Sequence, residues 1–105
     1  MESERLVYSI IGYLEFRAED REQTISALQE VTARSRQDEG CIEYWWSEDV
    51  LVPNRFRFFE CWESKAAFDS HQAQPYEHEF MTVHVPRVVG ADAQILTITD
   101  RASAM

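Results

Sequence analysis

His71 and Trp62 are the two residues of this chain whose types and spacing best fit a site for a small molecule. They lie nine residues apart in the segment CWESKAAFDSH, with Trp62 at the end of a predicted strand and His71 on the helix predicted to follow. An unperturbed histidine titrates near pH 6.5, so it can take up or release a proton at neutral pH. His71 is therefore the candidate catalytic base. The alternative is a structural histidine whose positive charge is stabilised by the helix dipole at the C-terminal end of its helix.

Aromatic side chains near His71 could form the walls of a ligand pocket. Phe58 lies on the same predicted strand as Trp62, whereas Tyr76 and Phe80 fall on a later predicted helix. Aromatic walls hold flat apolar ligands and keep bulk water away from a reacting group. For Trp62 the alternative is core packing, because a tryptophan at a strand end buries a large area. Phe58, Trp62, Tyr76 and Phe80 are the candidate substrate-binding residues.

Other titratable residues give weaker signals. Glu60 alternates in step with Trp62, so its side chain should point to the same side of the strand. A carboxylate among aromatic residues either pairs with an arginine or has a raised pKa, and we expect an arginine partner. The three histidines and two cysteines lack the spacing of metal ligands, and no nucleotide-binding or zinc-hydrolase motif is present. The sequence thus predicts neither a metal site nor a nucleotide site.

Composition limits the classes of protein that fit. The chain has 105 residues, which predicts one domain spanning residues 1–105, with a frayed tail at 100–105. Its net charge of −9 argues against a nucleic-acid groove, which needs Lys and Arg. No apolar run approaches the ~20 residues that span a bilayer, so no membrane association is expected. The first residues, MESERLVYSI, lack the pattern of a secretory signal, so we expect a cytoplasmic location.

The elements that must position these residues follow from the hydrophobic pattern. Residues 6–16 are β-branched and aromatic and predict a strand, and a helix of roughly four turns should follow, ending near Gly40. Two strands at 41–49 and 55–63 form a hairpin, since Pro53 and Asn54 favour a turn. Ser64 should cap a helix to about Ala73, which Pro75 interrupts before a second helical segment. A last strand is predicted at 93–99. The order βαββαβ predicts a ferredoxin-like α+β fold, a four-stranded antiparallel sheet with helices on one face.

The strands are apolar on both faces, which predicts a second copy of the chain. Ile10 lies beside Ile11, and Phe58 lies beside Phe59. Adjacent strand residues point to opposite faces, and the helices of one chain can cover only one face. The second face is most simply covered by the same sheet of another copy. We therefore expect a homodimer whose facing sheets form an α/β barrel.

Residues 40–80, GCIEYWWSEDVLVPNRFRFFECWESKAAFDSHQAQPYEHEF, resemble the antibiotic biosynthesis monooxygenase family of the dimeric α/β-barrel superfamily. The shared features are a Gly-Cys-x-x-Tyr strand start, an aromatic strand ending Glu-x-Trp-Glu, and a helix ending in His. The likeness extends over about residues 6–98. Three positions differ from functional motifs of particular members. Phe58 stands where polyketide-anthrone oxygenases place an asparagine. The tryptophan and iron-binding histidine of haem-degrading members are not matched at His71 and Met81.

The resemblance implies a reaction and its requirements. The better-known oxygenases of this family need no metal, flavin or haem: they remove a proton from a phenol or quinol, and the resulting anion reacts with oxygen. It therefore implies a monooxygenase without cofactors that acts on a small aromatic, phenolic or quinol substrate. Two alternatives stay open. One is a non-catalytic binding or accessory protein that uses the same pocket. The other is an isomerase of a small oxygenated metabolite, with His71 as the acid–base group.

Overall fold

The computed structural model describes residues 7–105, and Leu6, at the start of the first predicted strand, lies outside them. Three helices and four strands follow in the predicted order. The strands are β1 (Val7–Phe16), β2 (Cys41–Glu48), β3 (Arg55–Trp62) and β4 (Val88–Ile98). The helices are α1 (Arg21–Ser35), α2 (Lys65–Gln72) and α3 (Pro75–Glu79). A 3-10 turn at Ala18–Asp20 precedes α1, and a π-helical turn at Phe80–His84 and a 3-10 turn at Val85–Arg87 extend α3.

The four strands form one antiparallel sheet in the order β2-β3-β1-β4. Because β1 and β3 lie side by side at its centre, the sheet has the ferredoxin-like topology, and the predicted fold class is confirmed. Strand β4 begins at Val88, earlier than the predicted residue 93, because it pairs along the whole of β1. A Cβ at Gly12 would overlap the backbone carbonyl of Asp92, so a glycine is needed where β1 and β4 approach.

The core lies between the sheet and the helices. Strand residues Ile10, Phe16, Phe56, Phe58 and Trp62 pack in one buried cluster that also contains Leu28 and Val31 of α1. Phe58 lies opposite Gly12 of β1 and Trp46 of β2, so these positions share the helix-covered face. This face of β3 carries all three of its candidate side chains, Phe58, Glu60 and Trp62.

The opposite face of the sheet carries the other half of the apolar strand residues. Ile11 pairs with Phe59, and Phe59 pairs with Trp45, with the two aromatic ring centroids 5.9 Å apart. Ile11 is 42% exposed in the single chain. Near one end of this face, the guanidinium of Arg101 lies 3.8 Å from the buried Cys61 Sγ. The sheet therefore has two apolar faces, as the strand sequences predict. Helices cover one face, and the other is open around Ile11.

Within residues 7–105, every helix is too short or too polar to cross a bilayer.

Candidate active site

Helix α2 places His71 directly against Trp62. Ser64 accepts a hydrogen bond from the backbone N–H of Ala67 (3.1 Å), so the helix starts at Lys65, three residues after the strand ends at Trp62. His71 falls in the last turn of α2 and is completely buried. Its ring centroid lies 4.5 Å from that of Trp62, at an interplanar angle of 31°. Strand, cap and helix length together bring the two principal candidates into ring contact.

Asp38 holds the Nδ1 side of the His71 ring. It lies in the turn between α1 and β2, where Gly40 has a φ of +86° and a Cβ would come within 2.5 Å of the Ala67 side chain. This close approach of the turn to α2 brings Asp38 Oδ2 within 2.9 Å of His71 Nδ1. The Tyr76 hydroxyl lies 2.5 Å from the same carboxylate oxygen and 3.1 Å from Nδ1.

These contacts fix the tautomer of the neutral histidine. Tyr76 donates its only hydroxyl proton to Asp38, so neither Asp38 nor Tyr76 has a proton to offer to Nδ1. Nδ1 must therefore carry the hydrogen and donate it, which leaves the lone pair on Nε2. The basic atom of His71 is Nε2.

Two carboxyl groups lie near Nε2, and among residues 7–105 no side chain is within hydrogen-bond distance of it. Glu77 Oε1 is 3.6 Å away and Glu60 Oε1 is 3.8 Å away, and both glutamates are buried. Both Nε2 and Glu77 Oε1 are buried, and neither has a hydrogen-bond partner within residues 7–105. Among residues 7–105 no arginine pairs with Glu60, contrary to that expectation: its Oε1 accepts a hydrogen bond from Trp62 Nε1 at 3.1 Å.

Burial controls the protonation of this cluster. Desolvation raises the pKa of Glu60 to about 7, because the charged carboxylate is poorly solvated there. It raises the pKa of Glu77 to about 7 as well, and the nearby Glu60 and Asp38 charges add to the effect. Burial lowers the pKa of His71, opposed by its hydrogen bond to Asp38. The site therefore favours a neutral imidazole beside carboxyl groups that change charge near neutral pH.

The tyrosines of the cluster stay neutral. Tyr44 lies opposite Glu60 on β2, and its hydroxyl accepts a hydrogen bond from Trp46 Nε1 at 3.1 Å. Desolvation raises the pKa of Tyr44 and of Tyr76 far above the physiological range. Their hydroxyls are therefore hydrogen-bonding groups and not bases.

The candidate aromatic residues form two adjoining groups. Trp62 and Tyr76 contact His71, with the Tyr76 and His71 centroids 6.0 Å apart. Phe58 and Phe80 instead both pack against Trp46. The Trp46 ring centroid lies 4.7 Å from that of Phe58 and 6.1 Å from that of Phe80. Trp46 thus links the binding residues predicted on β3 to those on the helical side.

A small cavity lies beside α3. It is lined by Ala27, Glu30, Val31, Tyr76, Glu79, Phe80 and His84 and holds about 30 Å³. That is room for one or two waters, whereas pockets for ring-sized ligands hold roughly 300 Å³ or more. An aromatic ligand would therefore have to displace side chains here, and Tyr76 and Phe80 are the predicted residues it would meet.

Sequence reasoning missed Asp38, Glu77, Tyr44 and Trp46 as parts of this cluster. Asp38 lies 33 residues from His71, and no local pattern signals such a contact. Glu77 follows Pro75 in a polar segment that looks solvent-exposed. A usable signal did exist for Tyr44 and Trp46, because both alternate in step along β2 and must share a face.

Among residues 7–105, no group of three or more His, Cys, Asp or Glu side chains is arranged to hold a metal ion.

Comparison with known proteins shows to which family this chain belongs. The sequence model of the antibiotic biosynthesis monooxygenase family matches residues 7–83. The chain belongs to this family.

Similar proteins extend the comparison. An uncharacterised protein of Synechocystis sp. is 38% identical over 72 residues, which is 69% of this chain and 49% of the relative. The chain thus spans about half the length of this curated relative. The solved structure of a candidate antibiotic biosynthesis monooxygenase from Deinococcus radiodurans has a TM-score of 0.84 and 25% identity, over 94% of this chain and 98% of its own. A Mycobacterium tuberculosis structure has a TM-score of 0.83 at 20% identity, over 92% of this chain and 99% of its own, and shows the fold alone.

Proposed function

We propose that this protein is a cofactor-independent monooxygenase that acts on a small aromatic, phenolic or quinol substrate, with His71 as the general base. The observation that carries the proposal is the unpartnered Nε2 atom of His71, buried against Trp62 with its tautomer set by Asp38. A base in this position needs a neutral imidazole at working pH, and burial favours that form. The family name and the names of some related structures agree with the reaction class.

The residues have separate tasks in this mechanism. His71 Nε2 takes the proton of the substrate hydroxyl, so that the O–H bond breaks and an N–H bond forms. Asp38 then stabilises the imidazolium through Nδ1. Phe58, Trp62, Tyr76 and Phe80 hold the ring and keep water from the anion. The anion reacts with dioxygen: one oxygen atom enters the product, the other leaves as water, and the substrate supplies all the electrons.

The proposal includes a homodimer that works in the cytoplasm. The open apolar face around Ile11, Phe59 and Trp45 supports a second copy as its cover, because a long-lived exposed patch of this kind is unfavourable in water. Members of the family are commonly dimeric.

The test is oxygen consumption by the purified, metal-free protein with a panel of quinols and anthrones. Replacing His71 by alanine should slow turnover by about 10²–10⁴-fold, the usual contribution of a general base. His78→Ala is the matched control, because His78 is an exposed histidine on α3, and its turnover should equal that of the wild type. Turnover that His71→Ala leaves unchanged would contradict the assignment of the base. Tight binding of a panel member without oxygen uptake would instead favour a binding protein.

A second candidate is an isomerase. The two carboxyl groups near Nε2 favour it, because their pKa values of about 7 suit them to return a proton to a substrate carbon or oxygen. Proton exchange into a ligand in the absence of oxygen, without net oxidation, would distinguish this function from the first.

A further inference from the structure

Two buried polar atoms face each other in the site, and neither has a hydrogen-bond partner among the residues that the structure describes. One is His71 Nε2 and the other is Glu77 Oε1, 3.6 Å apart. Buried polar atoms are nearly always satisfied, so an unsatisfied pair at this separation calls for an explanation. A small rotation of the Glu77 side chain would bring the two atoms within hydrogen-bond distance, provided that one of them carries a proton.

The pair lies in a closed environment of named groups. Asp38 and Tyr76 contact the opposite edge of the imidazole. From β3, Glu60 faces Nε2, and from β2, Tyr44 lies opposite Glu60. Arginine and lysine are absent from the ion pairs of His71 and Glu77 among residues 7–105. If both glutamates were ionised, their negative charges would repel each other and the lone pair of Nε2. A proton bound to one of these three groups removes that repulsion.

Glu77 is better suited than Glu60 to carry that proton. Glu60 Oε1, its oxygen nearest to His71, already accepts the Trp62 indole hydrogen bond at 3.1 Å. Within the described part of the chain, Glu77 Oε1 has no hydrogen-bond partner, whereas its other oxygen accepts from the Gln72 amide at 3.5 Å. Glu77 also belongs to the short helix α3, whose next two residues, His78 and Glu79, are exposed to solvent.

We propose that Glu77 is a second acid–base residue of the site, which takes the proton that His71 Nε2 removes from the substrate and passes it toward solvent. The transfer breaks the Nε2–H bond and forms an O–H bond on Glu77 Oε1, so the imidazole is neutral again before the next substrate arrives. The carboxyl holds the proton more tightly than the imidazole does, since burial raises one pKa and lowers the other. The catalytic role rests on the proposed function, whereas the proton exchange between the two side chains does not.

The exchange can be measured without any substrate. In ¹⁵N-labelled Glu60→Gln protein, where the other carboxyl near Nε2 cannot ionise, the Nε2 resonance of His71 should respond to a titration near neutral pH that belongs to Glu77. This step should disappear when Glu77→Gln is added, which keeps the size and hydrogen-bonding ability of the side chain but cannot ionise. Adding Glu63→Gln instead, at an exposed glutamate before α2, should leave the step in place. The absence of a step in Glu60→Gln, or a step that survives the addition of Glu77→Gln, would overturn the proposal.

Kinetics test the role in turnover. Glu77→Gln should lower kcat by about tenfold or more and lower KM in proportion, so that kcat/KM is unchanged, because the first proton removal still occurs while reset of His71 is slow. A single turnover in a rapid-mixing experiment should then proceed at the wild-type rate. A slowed single turnover would instead show that Glu77 only supports the structure of the site and would contradict the proposal. If no panel substrate consumes oxygen but the Nε2 step is present in Glu60→Gln and lost when Glu77→Gln is added, the proposed oxygenase function fails and the proton pair stands.

Discussion

The two ring nitrogens of His71 lie in different electrostatic surroundings. Nδ1 donates to Asp38 at 2.9 Å, whereas Nε2 faces carboxyl groups at 3.6 and 3.8 Å without a hydrogen bond. An asymmetric arrangement of this kind makes one nitrogen a structural anchor and the other a reactive atom. Asp38 is therefore a positioning residue, because it sets which nitrogen keeps its lone pair.

Glu60 gives the fold a characteristic dependence on pH. Its pKa rises from 4.5 to about 7 on folding, so the folded state binds a proton that the unfolded state has already lost. The stability contributed by this group is fully present below pH 4.5 and is lost as pH rises through about 7. Glu77 acts in the same direction, and the lowered pKa of His71 acts in the opposite direction up to pH 6.5.

Urea unfolding should therefore give a lower free energy of unfolding at pH 8 than at pH 5. Replacing Glu60 by glutamine should reduce this loss by about 1–3 kcal/mol, since each pKa unit corresponds to 1.36 kcal/mol. Glutamine can still accept the Trp62 hydrogen bond, so the geometry should survive. Glu63→Gln serves as the exposed control and should keep the wild-type pH dependence. An equal loss in Glu60→Gln would show that Glu60 is not the group responsible.

At the scale of single residues, local signals in the sequence located part of the site. The contact between Trp62 and His71 was predictable because Trp62 ends the strand just before the cap of α2, and His71 lies on that short helix nine residues later. The partners of His71 were not, because Asp38 and Glu77 come from other elements and resemble the many surface acids of a chain with net charge −9. Glu60 was predicted on the correct face but with the wrong partner, since alternation fixes a face and not a hydrogen bond.

Helix α2 positions the base, and its N-terminal cap fixes where it begins. Ser64 accepts the Ala67 N–H, which satisfies one of the free backbone donors of the first turn. The predicted cap and the break before Pro75 are both confirmed. The π-helical turn at Phe80–His84 was not predicted, because its extra residue per turn follows from tertiary packing and not from a local pattern.

Ser64→Ala should destabilise the protein by about 1 kcal/mol, the usual cost of losing a serine cap. Ser70→Ala is the control within the same helix, because Ser70 is exposed and caps nothing. Chemical denaturation of the two variants side by side gives the difference. Equal stabilities would show that the cap does not hold the start of α2.

The molecule as a whole has one covered and one open sheet face. The helix-covered face holds the core and the candidate site, whereas the open face carries Ile11, Phe59 and Trp45. This division was predictable from adjacent apolar pairs in the strands, because neighbouring residues must point in opposite directions. The full length of β4 was not, since its residues 88–92 gain their strand structure only by pairing with β1.

The open face should close on a second copy in solution. Light scattering should give twice the chain mass of 12.3 kDa at micromolar concentration. Phe59→Asp should dissociate or unfold the dimer, because an unpaired carboxylate buried in an apolar interface costs several kcal/mol. Ser26→Asp adds the same charge at an exposed position of α1 and should keep the dimer mass. A wild-type mass of 12.3 kDa would contradict the dimer.

The pairing of Val7 with Ile98 places the first and last residues of the sheet side by side. A short linker could therefore join the two ends, and the chain could be reopened in the hairpin between Asp49 and Arg55, at the exposed Val50 and Leu51. Such a circular permutant would start with β3 and keep the segment from Trp62 to His71 unbroken. Because the site depends on that segment and on contacts in space, the order in which the remaining elements are connected is free to change without moving the base.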